Sequence, residues 1–161
     1  MPPVRSPAPD PVTRAPVPLD ACALARAIDV IGDAWTLLIL REALCGVERF
    51  DAMQADLGIP RSVLAARLAR MVEQGLLERR TYRDPGRRGR PAYRLTEKGR
   101  GLVPALAALR QWSRTHLAHG PSLLSLVDHD GVCVETRLVR ADGQAVEDLT
   151  AIRARAGPPV G

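Results

Sequence analysis

The stretch "RFDAMQADLGIPRSVLAARLARMVEQGLLERR", residues 49–80, decides the fold. Phe50, Met53 and Leu57 recur at helical spacing on one face, Asp51 stands where a capping side chain is expected, and Gly58 stops the pattern. A second helix follows, in which Leu64, Leu68 and Met71 form the i, i+4, i+7 stripe and Gly75 supplies the C-terminal stop. Its other face carries Ser62, Ala65, Ala66, Ala69 and Arg70. Two helices joined by a short turn containing Gly predict a helix-turn-helix.

Downstream, "LLERRTY" and "PAYRLT" have the β-branched and aromatic content of short strands. The tip between them, "RDPGRRGR", holds Arg83, Arg87, Arg88 and Arg90 together with the turn formers Pro85, Gly86 and Gly89. Helix, helix, hairpin is the order of a winged helix. Thr96 can then cap a last long helix, "EKGRGLVPALAALRQWSRTHLA", with Leu102, Leu106, Leu109 and Trp112 along one side; Pro104 either kinks it or marks a late true start. Upstream, Leu24, Ile28 and Ile31 mark a first helix ended by Gly32, and Asp33 can N-cap "AWTLLILREAL", whose solid apolar run predicts a helix buried on most sides.

The chain has 161 residues, 46% hydrophobic and 25% charged, enough for one domain with extensions. Residues 1–20 are Pro-rich, broken by charges and without the apolar run of a signal peptide, so a disordered tail is expected there. Residues 21–120 form the winged-helix domain, and residues 121–161 read as a small β-hairpin around "ADG" with a frayed "GPPVG" end. The fold class is therefore mainly α with a β-wing. No stretch is long and apolar enough to cross a membrane, which points to the cytoplasm.

Charge is concentrated rather than spread. Between residues 49 and 100 there are 13 Arg and Lys against 6 Asp and Glu, whereas the whole chain is only +5. Lys98 is the only lysine, a bias that genome composition explains as well as recognition does, so the clustering carries the weight. Four arginines at one tip repel in water, and a polyanion is the partner that relieves them. In a winged helix the second helix of the helix-turn-helix enters the DNA major groove while the wing follows the backbone or the adjacent minor groove. Ser62, Ala65 and Ala66 then face base edges, where alanines offer only methyl contacts to thymine. Arg61, Arg67 and Arg70 flank them within reach of phosphates or, for one of them, a guanine, and Arg83, Arg87, Arg88 and Arg90 face phosphates. The plainer reading of the same residues is a solvated loop and a surface helix rich in Ala for its propensity.

Cys22, Cys45 and Cys133 have no C-x-x-C spacing, so neither a zinc site nor a disulfide framework is indicated. Cys22 starts the first helix, where unpaired N–H groups favour a reactive thiol; a small, partly buried hydrophobe is the alternative. Cys45 reads as structural and Cys133 as unpartnered. His116, His119 and His129 do not make a metal site, and no cofactor is expected. No phosphate loop, nucleophile elbow or acidic pair supports an enzyme. Two rival functions stay open beside a DNA-binding regulator: a winged helix used only for protein interaction, and a cysteine-dependent redox enzyme.

From Cys22 to about Gly120 the chain resembles the HxlR-type branch of the MarR-like winged-helix transcriptional regulators. The resemblance rests on "CALARAIDVIGDAWTLLILREAL", "RFDAMQADLGIPRSVLAARLARMVEQGLLERR" and "YRLTEKGRGLVPALAALRQW" in that order. It implies a homodimer on a pseudo-palindromic operator, repressing or activating a nearby gene. The first and last helices would form the interface through Leu24, Ile28, Leu102, Leu106, Leu109 and Trp112. It also implies that Cys22 matches the cysteine with which some members sense oxidants or electrophiles; the alternatives are a small molecule bound between the dimer helices and no effector at all. Two positions depart from the pattern: Pro60 stands where many members have a Ser cap, and Ala23 where Pro is common. The C-terminal stretch resembles the extension of longer members, but its turn reads "VRADGQ" without paired cysteines, so no metal is expected there.

Overall fold

A computed structural model of the chain describes residues 17–82, 89–117, 120 and 123–154. The expected disordered tail lies almost wholly outside these residues, as do the frayed end and most of the wing tip, Arg83, Arg87 and Arg88 included. Ala27–Arg137 forms one compact unit, and the described parts of residues 1–26 and 138–161 another. The first helix, α1, spans Ala23–Ile31.

In the larger unit α2, Ala34–Leu44, begins as its sequence requires: the Asp33 carboxylate accepts from the Thr36 N–H at 3.1 Å. Ile39 and Leu40 are fully buried on it. The helix-turn-helix follows as α3, Phe50–Leu57, and α4, Arg61–Glu73. Between them Gly58 takes the left-handed conformation, φ 61°, which costs a glycine little and most other residues more. Met53, Ile59, Leu64, Leu68 and Met71 meet Ile39 and Leu40 in one core, so α3 and α4 are held by the apolar stripes read from their spacing.

Strands β1, Leu77–Tyr82, and β2, Arg90–Leu95, pair antiparallel, with Leu77 opposite Leu95 and Tyr82 opposite Arg90. Leu76, Leu77, Tyr93 and Leu95 close the core from the wing side. One element has no sequence signal: Arg49 bridges Ala92, and the Tyr93 N–H donates to the Glu48 carbonyl at 2.8 Å. This edge contact pins the residues just before α3 to β2.

The last long helix divides in two. Thr96 caps only the short α5, Glu97–Arg100, by accepting from the Gly99 N–H. The main helix, α6, is Val103–His116, with Pro104 in its first turn. Pro104 lacks an N–H and its ring would clash with the Arg100 carbonyl if the helix ran on, so its place in the first turn is the favourable one. Cys45, read as structural, is the C-cap of α2 but is exposed.

After α6 the chain returns along it. Gln111 donates its amide to the Thr136 carbonyl at 3.1 Å and accepts from the Thr136 N–H at 2.5 Å, while Arg110 Nε donates to the Leu124 carbonyl at 2.7 Å. A turn here bridges Val127 to Cys133. In the smaller unit, Val139 bridges Ala145 around the "ADG" turn, and Leu149–Ala151 forms a single 3-10 turn. The sequence predicts one hairpin here, around "ADG", with Cys133 in its first strand; in both places the pairing is one isolated bridge and not a strand ladder.

Candidate nucleic-acid interface

On α4, Arg61, Ser62, Ala65, Ala66, Ala69 and Arg70 are exposed, and the buried stripe lies on the other side. Two faces result from the helical spacing. Ser62, Ala66, Arg67 and Arg70 line a shallow hollow on the outside of the helix. Arg61 and Ala65, one turn apart, join Tyr82 and Arg90 of the wing around a cleft of about 590 Å³. The structure thus brings Arg61 and Ala65 beside Arg90, the one wing arginine of the four that lies in a described strand.

The arginines are not equivalent. Arg67 Nε lies 3.4 Å from Asp33, and both side chains are only about a third exposed. Arg70 donates to the Asp29 carbonyl at 2.9 Å. These two tie α4 to the start of α2 and the end of α1. Arg61 and Arg90 instead share one carboxylate, Asp51, at 3.6 and 3.1 Å. Asp51 does not cap α3: the N-cap is Arg49, and Asp51 sits in the first turn, facing α4 and the wing. The Arg61 guanidinium also lies 4.8 Å from the centre of the Phe50 ring.

Sequence reasoning passed over three residues of this surface. Arg49 stacks 4.3 Å over the ring of Tyr82, the last residue of β1, adding a cation to this surface. Both belong to pattern-free positions at element ends, and only Asp51 carried a signal, which was read as a cap. Beside α4, the titration of Asp33 is displaced. Burial raises its pKa, but hydrogen bonds from the Thr36 side chain and backbone and the charge of Arg67 outweigh that and hold it below the usual carboxylate value.

Among the other residues singled out by sequence, the Cys22 carbonyl accepts the first α1 bond, from the Arg26 N–H, and Cys22 is half-buried. Leu24, Ile28, Leu109 and Trp112 are more than half exposed, at 68, 56, 52 and 55%. Leu102 and Leu106 differ: they are half-buried and pack against the domain's own core. Asp128, His129 and Asp130 form an exposed group, in which Asp128 already accepts from the backbone of Asp130 and Val132. No helix among the described residues is long and apolar enough to cross a membrane.

Comparison with known proteins agrees with this geometry. The family model described as HxlR-like helix-turn-helix matches residues 30–121, more than half of the chain. Over 96 residues the chain is 48% identical to Rv3095 of Mycobacterium tuberculosis, an uncharacterised HTH-type transcriptional regulator; the match covers 59% of this chain and 59% of that relative, so the chain spans less than two thirds of its length. Among solved structures, PA1607, a candidate transcription factor, is similar with a TM-score of 0.72 and 36% identity, covering 85% of this chain and 96% of that one. PA1374 of Pseudomonas aeruginosa, described in the same way, is 34% identical with a TM-score of 0.57, covering 87% of this chain and 95% of that one. These relatives are named as regulators and not as enzymes. With its helix-turn-helix, wing and α6 in the matched order, the chain belongs to the HxlR-like helix-turn-helix family.

Proposed function

We propose that the protein is a DNA-binding transcriptional regulator, acting as a homodimer on a pseudo-palindromic operator. The observation that carries the reading is the juxtaposition of Arg61 and Ala65 on α4 with Arg90 at the tip end of the wing strands, beside the exposed Ser62, Ala66 and Arg70 face. That face fits the major groove, with Ser62, Ala65 and Ala66 toward base edges and the surrounding arginines toward phosphates. Arg83, Arg87 and Arg88, which lie outside the described residues, would add charge for phosphate contacts along the backbone or in the minor groove.

The experiment is a titration of the purified protein with duplex DNA from upstream of its own gene at several salt concentrations. Affinity should fall steeply as salt rises, because each phosphate contact releases counterions. A protein that shows no salt-sensitive binding to any duplex is a protein-interaction module instead.

Regulation would act through the dimer. Cys22 opens α1, which carries the exposed Leu24 and Ile28, so an oxidant or electrophile adding to its thiol would place a larger, more polar group beside apolar side chains suited to a partner. Operator affinity of wild type and Cys22→Ser, measured before and after mild oxidation or quinone treatment, separates the cases. Loss of affinity in the wild type alone supports sensing; an equal response, or none, makes Cys22 a packing residue and leaves a small molecule between the dimer helices, or no effector, as the reading.

A further inference from the structure

Asp51 is a negative charge placed inside a surface that otherwise collects positive ones. It stands on the first turn of α3, 3.6 Å from Arg61 at the start of α4 and 3.1 Å from Arg90 at the start of β2. The three groups come from three different elements around a single cleft. Arg61 is further steadied by the Phe50 ring. A carboxylate held between two guanidinium groups has the charge and hydrogen-bonding pattern of a backbone phosphate held between the same two groups.

Resting on the DNA-binding reading above, we infer that Asp51 is a specificity-determining residue of the interface: its carboxylate takes the place of a phosphate between Arg61 and Arg90, holding both in position while cancelling one of their two charges. The local charge is +1 with Asp51 and +2 without it. Sequence-independent affinity is set by charge, whereas operator affinity also needs side chains in register. Asp51 therefore restrains binding to arbitrary DNA more than binding to the operator.

The test uses Asp51→Asn, which keeps the shape and removes the charge. Asp51 is 61% exposed on its side chain, and the melting temperature separates any effect on the fold from the effect on binding. The control is Asp56→Asn, the same change on the same helix at an exposed residue without an ion pair among the described residues. Affinity is measured for a scrambled duplex and for the upstream DNA across a salt series, with thermal melting of each variant.

For the scrambled duplex, Asp51→Asn should steepen the slope of log K against log salt by about 0.9, equivalent to roughly fivefold tighter binding near 0.15 M salt. Upstream DNA should gain less, so the ratio between the two falls. Asp56→Asn should change the slope by much less, and in the double variant Asp51→Asn with Arg90→Ala most of the gain should disappear. If wild type binds DNA with salt sensitivity but Asp51→Asn matches Asp56→Asn, or weakens both duplexes without steepening the slope, the inference fails and the DNA reading stands. If wild type shows no salt-sensitive binding, the DNA reading fails and the inference with it.

Discussion

Asp33 joins local and tertiary structure in a single side chain. It caps α2 by accepting from Thr36, and it meets Arg67 of α4 at 3.4 Å. Its pKa is depressed in the folded state, despite burial that pushes the other way, by the Thr36 hydrogen bonds and the Arg67 charge. A depressed carboxylate stabilises the fold above its unfolded value, 3.8, and that contribution is lost as the pH falls through the lower folded value. Asp33→Ala should therefore cost about 1 kcal/mol at pH 7, the usual worth of a helix cap, and the gap to wild type should narrow below pH ~4. Asp33→Asn keeps a cap acceptor for the Thr36 N–H but loses the carboxylate charge that strengthens the Thr36 bonds and attracts Arg67, so it should cost less than Asp33→Ala. Urea unfolding of the three proteins at neutral and acidic pH measures both differences. A gap for Asp33→Ala that is constant with pH would remove the charge from the account.

At the scale of elements, the junction between wing and α5 is the tightest fit. The Thr96 hydroxyl donates to the Gly75 carbonyl at 2.6 Å, and the Lys98 ammonium donates to the Gln74 carbonyl at 2.7 Å. Gly99 is buried there, and a Cβ added to it would lie 2.2 Å from the Leu76 carbonyl oxygen. Backbone cannot yield as a side chain does, so Gly99→Ala should destabilise by about 1–3 kcal/mol. At Gly101 the nearest atom to an added Cβ, the Lys98 carbonyl oxygen, is 3.2 Å away, and Gly101→Ala should have a much smaller effect. Equal melting temperatures for the two variants would show that the junction adjusts. This junction also marks where legibility ends. α3 and α4 were readable because each has an apolar stripe and a stop at Gly58 or Gly75, and α2 because a cap at Asp33 opens a solid apolar run, signals that need only local sequence. Thr96 was readable as a cap, but the length of its helix was not, since that depends on whether Pro104 falls inside a helix or at its start. The Arg49–Ala92 bridge is one residue long and leaves no periodic trace, and the isolated pairings of the extension, with the Val127–Cys133 turn, went unread for the same reason. Asp51, Arg61 and Arg90 lie far apart in sequence, so spacing could list the arginines but could not reveal that a carboxylate joins them.

For the whole molecule the open question is what covers Leu24, Ile28, Leu109 and Trp112, all more than half exposed. Scattered exposed leucines are ordinary, but two apolar positions one turn apart on α1 and two more along α6 are the pattern of helix faces that pack against another surface. Leu102 and Leu106 already serve the domain's own core, which leaves Leu109 and Trp112, further along α6, for a second copy. Trp112 is the natural anchor because its large ring loses few rotamers on burial. Trp112→Glu should leave the fold intact, as the residue touches water now, but convert a dimer into a monomer in sedimentation equilibrium. DNA binding gives the second measure. Two half-sites one helical turn apart, roughly 34 Å, are read together only by a dimer, so operator affinity should fall by about 100-fold or more as the linked second contact is lost. Affinity for a single half-site should barely change. A wild type that is monomeric at micromolar concentration, or a Trp112→Glu protein that remains dimeric with full operator affinity, would take these four side chains out of the interface and leave the partner for them to be found elsewhere.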